Sequence, residues 1–249
     1  MNAQDAIDGV VVAIPAHDEE ELLGACLESV ALAARAAQAG GVSVDTWVAL
    51  DDCSDRSEAI ARAAGVHTVA LTQRRVGAAR RAAIESALAD FGEAALSSLW
   101  LAHTDADSVV PPHWLVHQLR LARDGADVVI GTVRPDFRDL TERQSAAWWR
   151  THVPGVANGH VHGANLGIRA STYLAACGFP PVAAHEDVAL VDATRAAGAR
   201  IVASDAAWVR TSGRGVGRAP DGYARYLRDD LESLAAVAGS DRAAEIALL

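Results

Sequence analysis

Short apolar runs without alternation punctuate the chain, each followed by a segment whose apolar residues return every three or four positions. GVVVAIPA (Gly9 to Ala16) is a β-branched run with no polar face, the pattern of a strand covered on both sides. Leu22, Leu23, Cys26, Leu27 and Val30 follow at helical spacing, and Gly40-Gly41 closes that helix. Asp18 stands where a cap belongs, with Glu19, Glu20 and Glu21 expected in the first turn at the positive end of the dipole. VSVDTWVAL, VHTVAL, SSLWLAHT and ADVVIGTV repeat the strand pattern, separated by the helical segments EAIARAAG, VGAARRAAIESALADFG and HWLVHQLRLARDG. This alternation predicts βαβ units around a largely parallel sheet. From about Arg134 the pattern loosens into one helix around Trp148-Trp149 and a long polar, glycine-bearing connection. STYLAACGF, EDVALVDATRAAG, ARIVASDAAWVR and a final helix, YARYLRDDLESLAAVAG, complete a chain that reads as one continuous α/β domain over residues 1–249.

Composition narrows this picture. The 51% apolar content is carried largely by alanine with 5% aromatic residues, which suits a helix-rich α/β protein. A net charge of −10 argues against non-specific nucleic-acid binding, and an anionic ligand needs a cation or a local basic cluster to offset it. Cys26, Cys53 and Cys177 are scattered and never paired as C-x-x-C, which favours a reducing compartment. The acidic N-terminus is unlike a signal peptide, and no apolar run reaches the length of a transmembrane segment. The expectation is a soluble, cytoplasmic protein.

Three expected strands end in acidic motifs, AHDEE, DDCSD and HTDAD, where α/β sheets bind their ligands. Asp105 and Asp107, two residues apart on an extended segment, can converge on one point. Such a pair suits Mg²⁺ or Mn²⁺ with a diphosphate completing the shell; the alternative is a solvated turn before Pro111. In DDCSDRS, Ser54 or Asp55 can cap the next helix, while Asp52 is assigned to a nucleobase and Asp51 to structural support. Glu186 and Asp187 open a helix, where carboxylates are stabilised in any case, or supply a general base. His113 and His117 have a zinc-compatible spacing but no third ligand, and His160 and His162 read as loop or pocket residues. Arg210, Arg214 and Arg218 lie in a glycine-bearing stretch that is either a linker or a loop closing on phosphate. Arg74, Arg75, Arg80 and Arg81 form a second basic cluster. No G-x-G-x-x-G, G-x-S-x-G or P-loop is present.

Taken in order, VVVAIPAHDEEELLGACLESV, VALDDCSDRS, GAARRAAI, HTDADSVVPPHWL, GANLGIRASTYLAACGF and HEDVALVDATRAAG resemble the family 2 glycosyltransferases of the GT-A fold. The resemblance runs from Val10 to Gly198. It implies a GT-A-like fold with a Rossmann-like donor half over 9–110 and an acceptor half, with C-terminal loop and helix, over 111–249. It also implies hexosyl transfer from a UDP- or GDP-sugar donor to an unknown acceptor, inverting and dependent on Mn²⁺ or Mg²⁺. Carried over residue by residue, Pro15, Ala16 and Asp52 line the nucleoside, with Glu19 nearby and Arg80 on the donor side; the loop reading, apart from the resemblance, adds Arg214 and Arg218 there. Asp105 and Asp107 match the metal-binding D-x-D, and Asp187 the catalytic base beside Glu186. Gly163, Ala164 and Asn165 match the segment beneath donor sugar and acceptor. Where related enzymes place a late histidine, this chain reads WVRTSGR. A nucleotidyltransferase and a non-catalytic nucleotide-sugar-binding module are the competing readings.

Overall fold

The computed structural model describes residues 6–89, 91–182, 184–217, 222–231 and 233. Strands β1 (Gly9–Ala16), β2 (Ser43–Asp51), β3 (His67–Leu71) and β4 (Leu99–His103) form a parallel set in the order β3-β2-β1-β4. Helices α1 (Leu23–Gln38), α2 (Ser57–Ala63), α3 (Val76–Leu88) and the short α4 (Glu93–Leu96) connect them. The sheet continues through β7 (Leu166–Arg169), β6 (Val128–Pro135), β8 (Ile201–Thr211) and the two-residue β5 (Ser108–Val109), eight strands in all. Around these lie α5 (Trp114–Arg123), α6 (Glu142–Thr151), α7 (Ala170–Ala175), α8 (Glu186–Ala196) and the turn α9 (Tyr223–Arg225).

Strand β1 shows why the sheet is buried on both faces. Val10, Val12, Ile14 and Ala16 enter one apolar cluster with residues of α1 and α5, while Val11 and Ala13 enter another with residues of α3 and α8. The unalternating run is therefore a strand covered by helices on either side. Strand β7 was not anticipated as a separate strand. It lies antiparallel to both β4 and β6, so the sheet reverses direction at its centre, beside the carboxyl end of β4.

Asn165 holds that reversal together. Its Oδ1 accepts from Trp114 Nε1 at 2.8 Å, and its Nδ2 donates to the carbonyls of Thr132 and Ala207, both at 2.9 Å. Asn165→Leu is expected to lower unfolding stability by about 2–4 kcal/mol, because three buried partners lose their bonds at once. Urea denaturation checks this, and a loss below roughly 1 kcal/mol would remove the structural role assigned to the amide.

The expectation that Asp18 caps α1 is corrected. The helix starts at Leu23 with no side-chain cap and no acid in its first turn. Asp18 instead adopts a left-handed backbone, φ 49°, and accepts from the N–H groups of Ser54 at 2.7 Å and Asp55 at 3.3 Å. Bonds across to the β2–α2 loop take precedence over local capping, and Glu20 N–H donates back to Asp55 at 2.8 Å.

Candidate active site

The site is assembled at the carboxyl ends of β1, β2 and β4, the edge at which α/β sheets bind their ligands. Pro15 and Ala16 end β1, and both are buried. Asp51 ends β2 with its carboxylate turned inward, accepting from the N–H groups of Gln73 at 2.6 Å, Arg74 at 2.9 Å and Arg75 at 2.8 Å. Asp52 follows in a left-handed conformation, φ 55°, which turns its carboxylate outward to Arg74 Nε at 2.5 Å. The two neighbouring acids thus face different ways, one organising the loop before α3 and the other open to solvent. Asp18, Cys53 and Asp55 also come close together. The two carboxylates among them tie these loops by accepting backbone N–H groups across them, Asp18 from Ser54 and Asp55 from Glu20.

Arg80 is the junction of the site. It reaches from α3, is 3% exposed, and sends Nη2 to Asp105 Oδ1 at 2.6 Å, Nε to Glu186 Oε1 at 3.4 Å and Nη1 to the Gly163 carbonyl at 3.2 Å. Gly163 N–H in turn donates to Asp187 Oδ2 at 2.7 Å. A Cβ at Gly163 would collide with the guanidinium, which accounts for glycine at this close approach. Burial raises the Glu186 carboxyl above its usual range, opposed by the Arg80 charge and reinforced by Asp187.

A second arginine holds the other acids. Arg214 makes a fork with Glu19, Nη1 to Oε2 at 2.9 Å and Nη2 to Oε1 at 2.6 Å, and its Nη2 lies 3.1 Å from Asp107 Oδ2. Two carboxylates from β1–α1 and β4–β5 therefore converge on one cationic nitrogen. Burial and the nearby Asp105 push Asp107 up to about 6, while Arg214 pulls it down. Thr211 and Ser108, neither of them foreseen, donate to Asp107 Oδ1 at 3.2 and 3.4 Å. Thr211 lies in the WVRTSGR stretch, so the segment lacking the late histidine reaches the acids through Thr211 and Arg214. An open cleft of about 400 Å³ adjoins them, lined by Asp18, Glu19, Glu20, Glu21, Leu22, Ser54, Asp55 and Arg214. Arg218 lies outside the described residues.

Other expected residues sit elsewhere. His113 Nε2 bonds the Ala206 carbonyl at 3.0 Å and His117 Nε2 the Ser204 hydroxyl at 2.8 Å, so both imidazoles are engaged with β8. His162 packs edge-on to Tyr223, with centroids 5.7 Å apart. Trp148 is buried and donates to the Tyr223 hydroxyl at 3.1 Å, whereas Trp149 on the same helix is 44% exposed.

His103, two residues before Asp105, was not singled out in the sequence. It is fully buried against Phe179, and neither ring nitrogen has a hydrogen-bond partner among the described residues. Burial, aided by the Arg80 charge, lowers its pKa to about 3 from 6.5. A histidine kept neutral in the fold but free to charge when unfolded stabilises fully above pH 6.5 and loses that contribution as pH falls towards 3. His103→Phe is expected to remove about 1.5 kcal/mol of the stability lost between pH 6.5 and 5. Half-buried His162, lowered to about 4, adds to the same loss and would remain. Denaturation midpoints across that range check it; an unchanged slope would show that His103 is not buried neutral.

The family model for glycosyl transferase family 2 matches residues 11–175, well over half of the chain, and the chain belongs to that family. Solved structures share the fold. The mannosyltransferase PcManGT from Pyrobaculum calidifontis, in complex with GDP-Man and Mn²⁺, is 19% identical with a TM-score of 0.60, covering 96% of this chain and 76% of that one. S. aureus TarS 1-349 in complex with UDP is 15% identical with a TM-score of 0.56, covering 92% and 64%. A second S. aureus TarS 1-349 structure gives 16% and 0.57, covering 83% of this chain and 61% of that chain. The chain thus spans less than two thirds of the length of these TarS chains. The architecture is that of GT-A glycosyltransferases. No curated protein sequence matches the chain, and no helix among the described residues is long and apolar enough to cross a membrane.

Proposed function

We propose that the protein transfers a hexosyl group from a nucleoside-diphosphate sugar to an acceptor hydroxyl, with inversion at the anomeric carbon. The observation that carries this reading is the Arg80 junction. One buried guanidinium joins Asp105 at the end of β4 to Glu186 at the start of α8 and to Gly163, whose N–H is held by Asp187. In this reading residues 9–110 hold the donor and 111–249 the acceptor, within one domain over 1–249. Pro15, Ala16 and Asp52 line the nucleoside. Glu19, Arg80 and Arg214 serve the donor's phosphate side, with Arg218 added on sequence grounds alone.

The donor set suits a divalent cation. Asp105 and Asp107 offer carboxylate oxygens alone, the chemistry preferred by Mg²⁺ and Mn²⁺. In support, one arginine nitrogen already lies between Glu19 and Asp107. The adjoining cleft is lined by five acids against one arginine, so a diphosphate there requires added positive charge. Asp105 and Asp107 would hold such an ion, which would supply positive charge to a departing diphosphate. Asp187 takes the proton of the acceptor hydroxyl as its oxygen attacks the anomeric carbon and the sugar–phosphate bond breaks. Glu186, paired with Arg80, orients the junction. Gly163 and Ala164 present backbone to the acceptor, while Asn165 holds that segment in place through its three inward bonds.

UDP and GDP are the favoured donor nucleotides, in line with the nucleotides carried by the TarS and PcManGT structures. Calorimetric titration with UDP, GDP, ADP and CMP, each with and without Mn²⁺, tests the reading. Metal-dependent binding of UDP or GDP is the expected result. Binding indifferent to Mn²⁺ would remove the cation role of Asp105 and Asp107, and no binding at all would overturn the proposed donor.

A further inference from the structure

We infer that the cleft formed by Trp149, Arg134 and Trp208 is a subsite for a neutral saccharide, and hence that the acceptor is itself a glycoside; this rests on the glycosyl-transfer reading above. Arg134 on β6 stands between two indoles, its guanidinium carbon 4.3 Å from the Trp208 ring centre and 5.9 Å from that of Trp149. Both tryptophans are well exposed, 39% and 44%. Phe137 stacks on Trp149 with centroids 5.1 Å apart, yet both indoles keep large open areas on one patch, a placement typical of binding surfaces.

The polar groups of the patch narrow the ligand class. Arg134 Nη2 donates to Asp205 Oδ2 at 2.8 Å, and the same carboxylate accepts from Gly155 N–H at 2.6 Å and from the Thr132 hydroxyl. Asp205 therefore cancels the arginine's charge and fixes its plane. A phosphate or carboxylate gains little from a guanidinium already neutralised at this distance. Nε and Nη1 of Arg134 have no partner among the described residues, so donors remain for a ligand hydroxyl. A small cavity beside Arg134 and Trp149 is lined also by His152, Val156 and Asn158, and Trp208 adjoins it through Arg134. An alkyl chain would leave these donors and acceptors unpaired. A pyranoside matches both features, its C–H face packing on indole while its hydroxyls meet the guanidinium and amide. The enclosed space is only about 10 Å³, room for about one water, so such a ring lies across the aromatic rim rather than inside a pocket.

A chain of contacts links the cleft to the reaction centre: Trp148 on its wall donates to Tyr223, whose ring packs against His162, the neighbour of Gly163. Thr132 and Ala207, whose carbonyls receive the Asn165 amide, each lie within two residues of Arg134 or Trp208. The loop bearing Val156 and Asn158 on the cleft wall runs directly into Gly163, which Asp187 holds. A saccharide on the rim can therefore extend its next residue towards Asp187.

The test follows the indole Nε1–H resonances while methyl glycosides and disaccharides of glucose, mannose, galactose and N-acetylglucosamine are titrated. Hexanol and inorganic phosphate serve as apolar and anionic probes, and UDP and GDP with Mn²⁺ are titrated into the same samples. At least one saccharide is expected to shift Trp208 and Trp149. Trp208→Ala should weaken that binding about tenfold, the scale of aromatic stacking energies, and Trp208→Phe should retain most of it. Nucleotide binding should be unchanged in both variants. Nucleotide binding with no saccharide response overturns this inference and leaves the glycosyl-transfer reading standing. A response to hexanol or phosphate alone, or saccharide affinity untouched by Trp208→Ala, also overturns it. Loss of nucleotide and saccharide binding together in the unmodified protein overturns both.

Discussion

Replacing Asp187 with asparagine is expected to leave nucleotide binding intact and to lower glycosyl transfer roughly 10²–10⁴-fold, the range typical of a lost general base. Besides the base, the substitution gives up one of two backbone hydrogen bonds. Each carboxylate oxygen of Asp187 accepts one backbone N–H, Oδ2 from Gly163 at 2.7 Å and Oδ1 from Val188 at 2.8 Å. An asparagine of the same shape keeps one of these bonds through its carbonyl oxygen, so the segment stays near its place. It also loses the capacity to take a proton. Asp187 is only half-buried at the start of α8, so an acceptor hydroxyl can reach it. Donor affinity by calorimetry and transfer by product formation separate the two effects. Retained transfer would strip Asp187 of the base role, and a protein that binds donor yet transfers to no acceptor even unmodified would be a binding module instead.

Arg80→Met is expected to be the most damaging single change in the site, costing about 3–5 kcal/mol of stability together with donor binding. The side chain is 3% exposed, and its two carboxylate partners differ in exposure, Asp105 being one third open and Glu186 almost wholly buried. Methionine fills similar volume but leaves Glu186 without its counter-charge, and a buried carboxylate so abandoned must either protonate or admit water. Burial already raises the Glu186 carboxyl, and removal of Arg80 takes away the main influence opposing that rise. The Arg80→Met, Glu186→Gln double variant should recover part of the lost stability, because it removes the stranded charge. It should not recover donor binding, since Asp105 still lacks its partner. Recovery of both would show that Arg80 acts only as a neutraliser of Glu186. A single variant within about 1 kcal/mol of the parent would contradict the buried ion-pair account.

The two arginines of the site balance its own acids. Arg80 and Arg214 are each committed to the D-x-D acids, one to Asp105 and the other to Asp107 with Glu19. Neither commitment has a local signature. Arg214 and Glu19 are separated by 195 positions, Arg80 and Glu186 by 106. The short acidic motifs were visible because they interrupt apolar strands; their partners were not, because an arginine in a helix or loop looks the same whether it faces solvent or a buried carboxylate.

The alternation of apolar runs and helical spacing was enough to establish a parallel α/β core, the strands covered on both faces and the acids at their carboxyl ends. Each of these follows from periodicity over neighbouring residues, which is local information. The opposite orientations of Asp51 and Asp52 follow from a step from extended to left-handed backbone between them, which only the folded chain shows. Tertiary structure alone decided that Asp18 bridges two loops instead of capping α1, that β7 enters the sheet antiparallel, and that Asn165 points inward to join β6, β8 and α5. It also decided that Trp148 is buried while its neighbour Trp149 joins Arg134 and Trp208 on an open rim. For Asp18 and Asn165 the partners were groups that only the folded chain brings within hydrogen-bond reach.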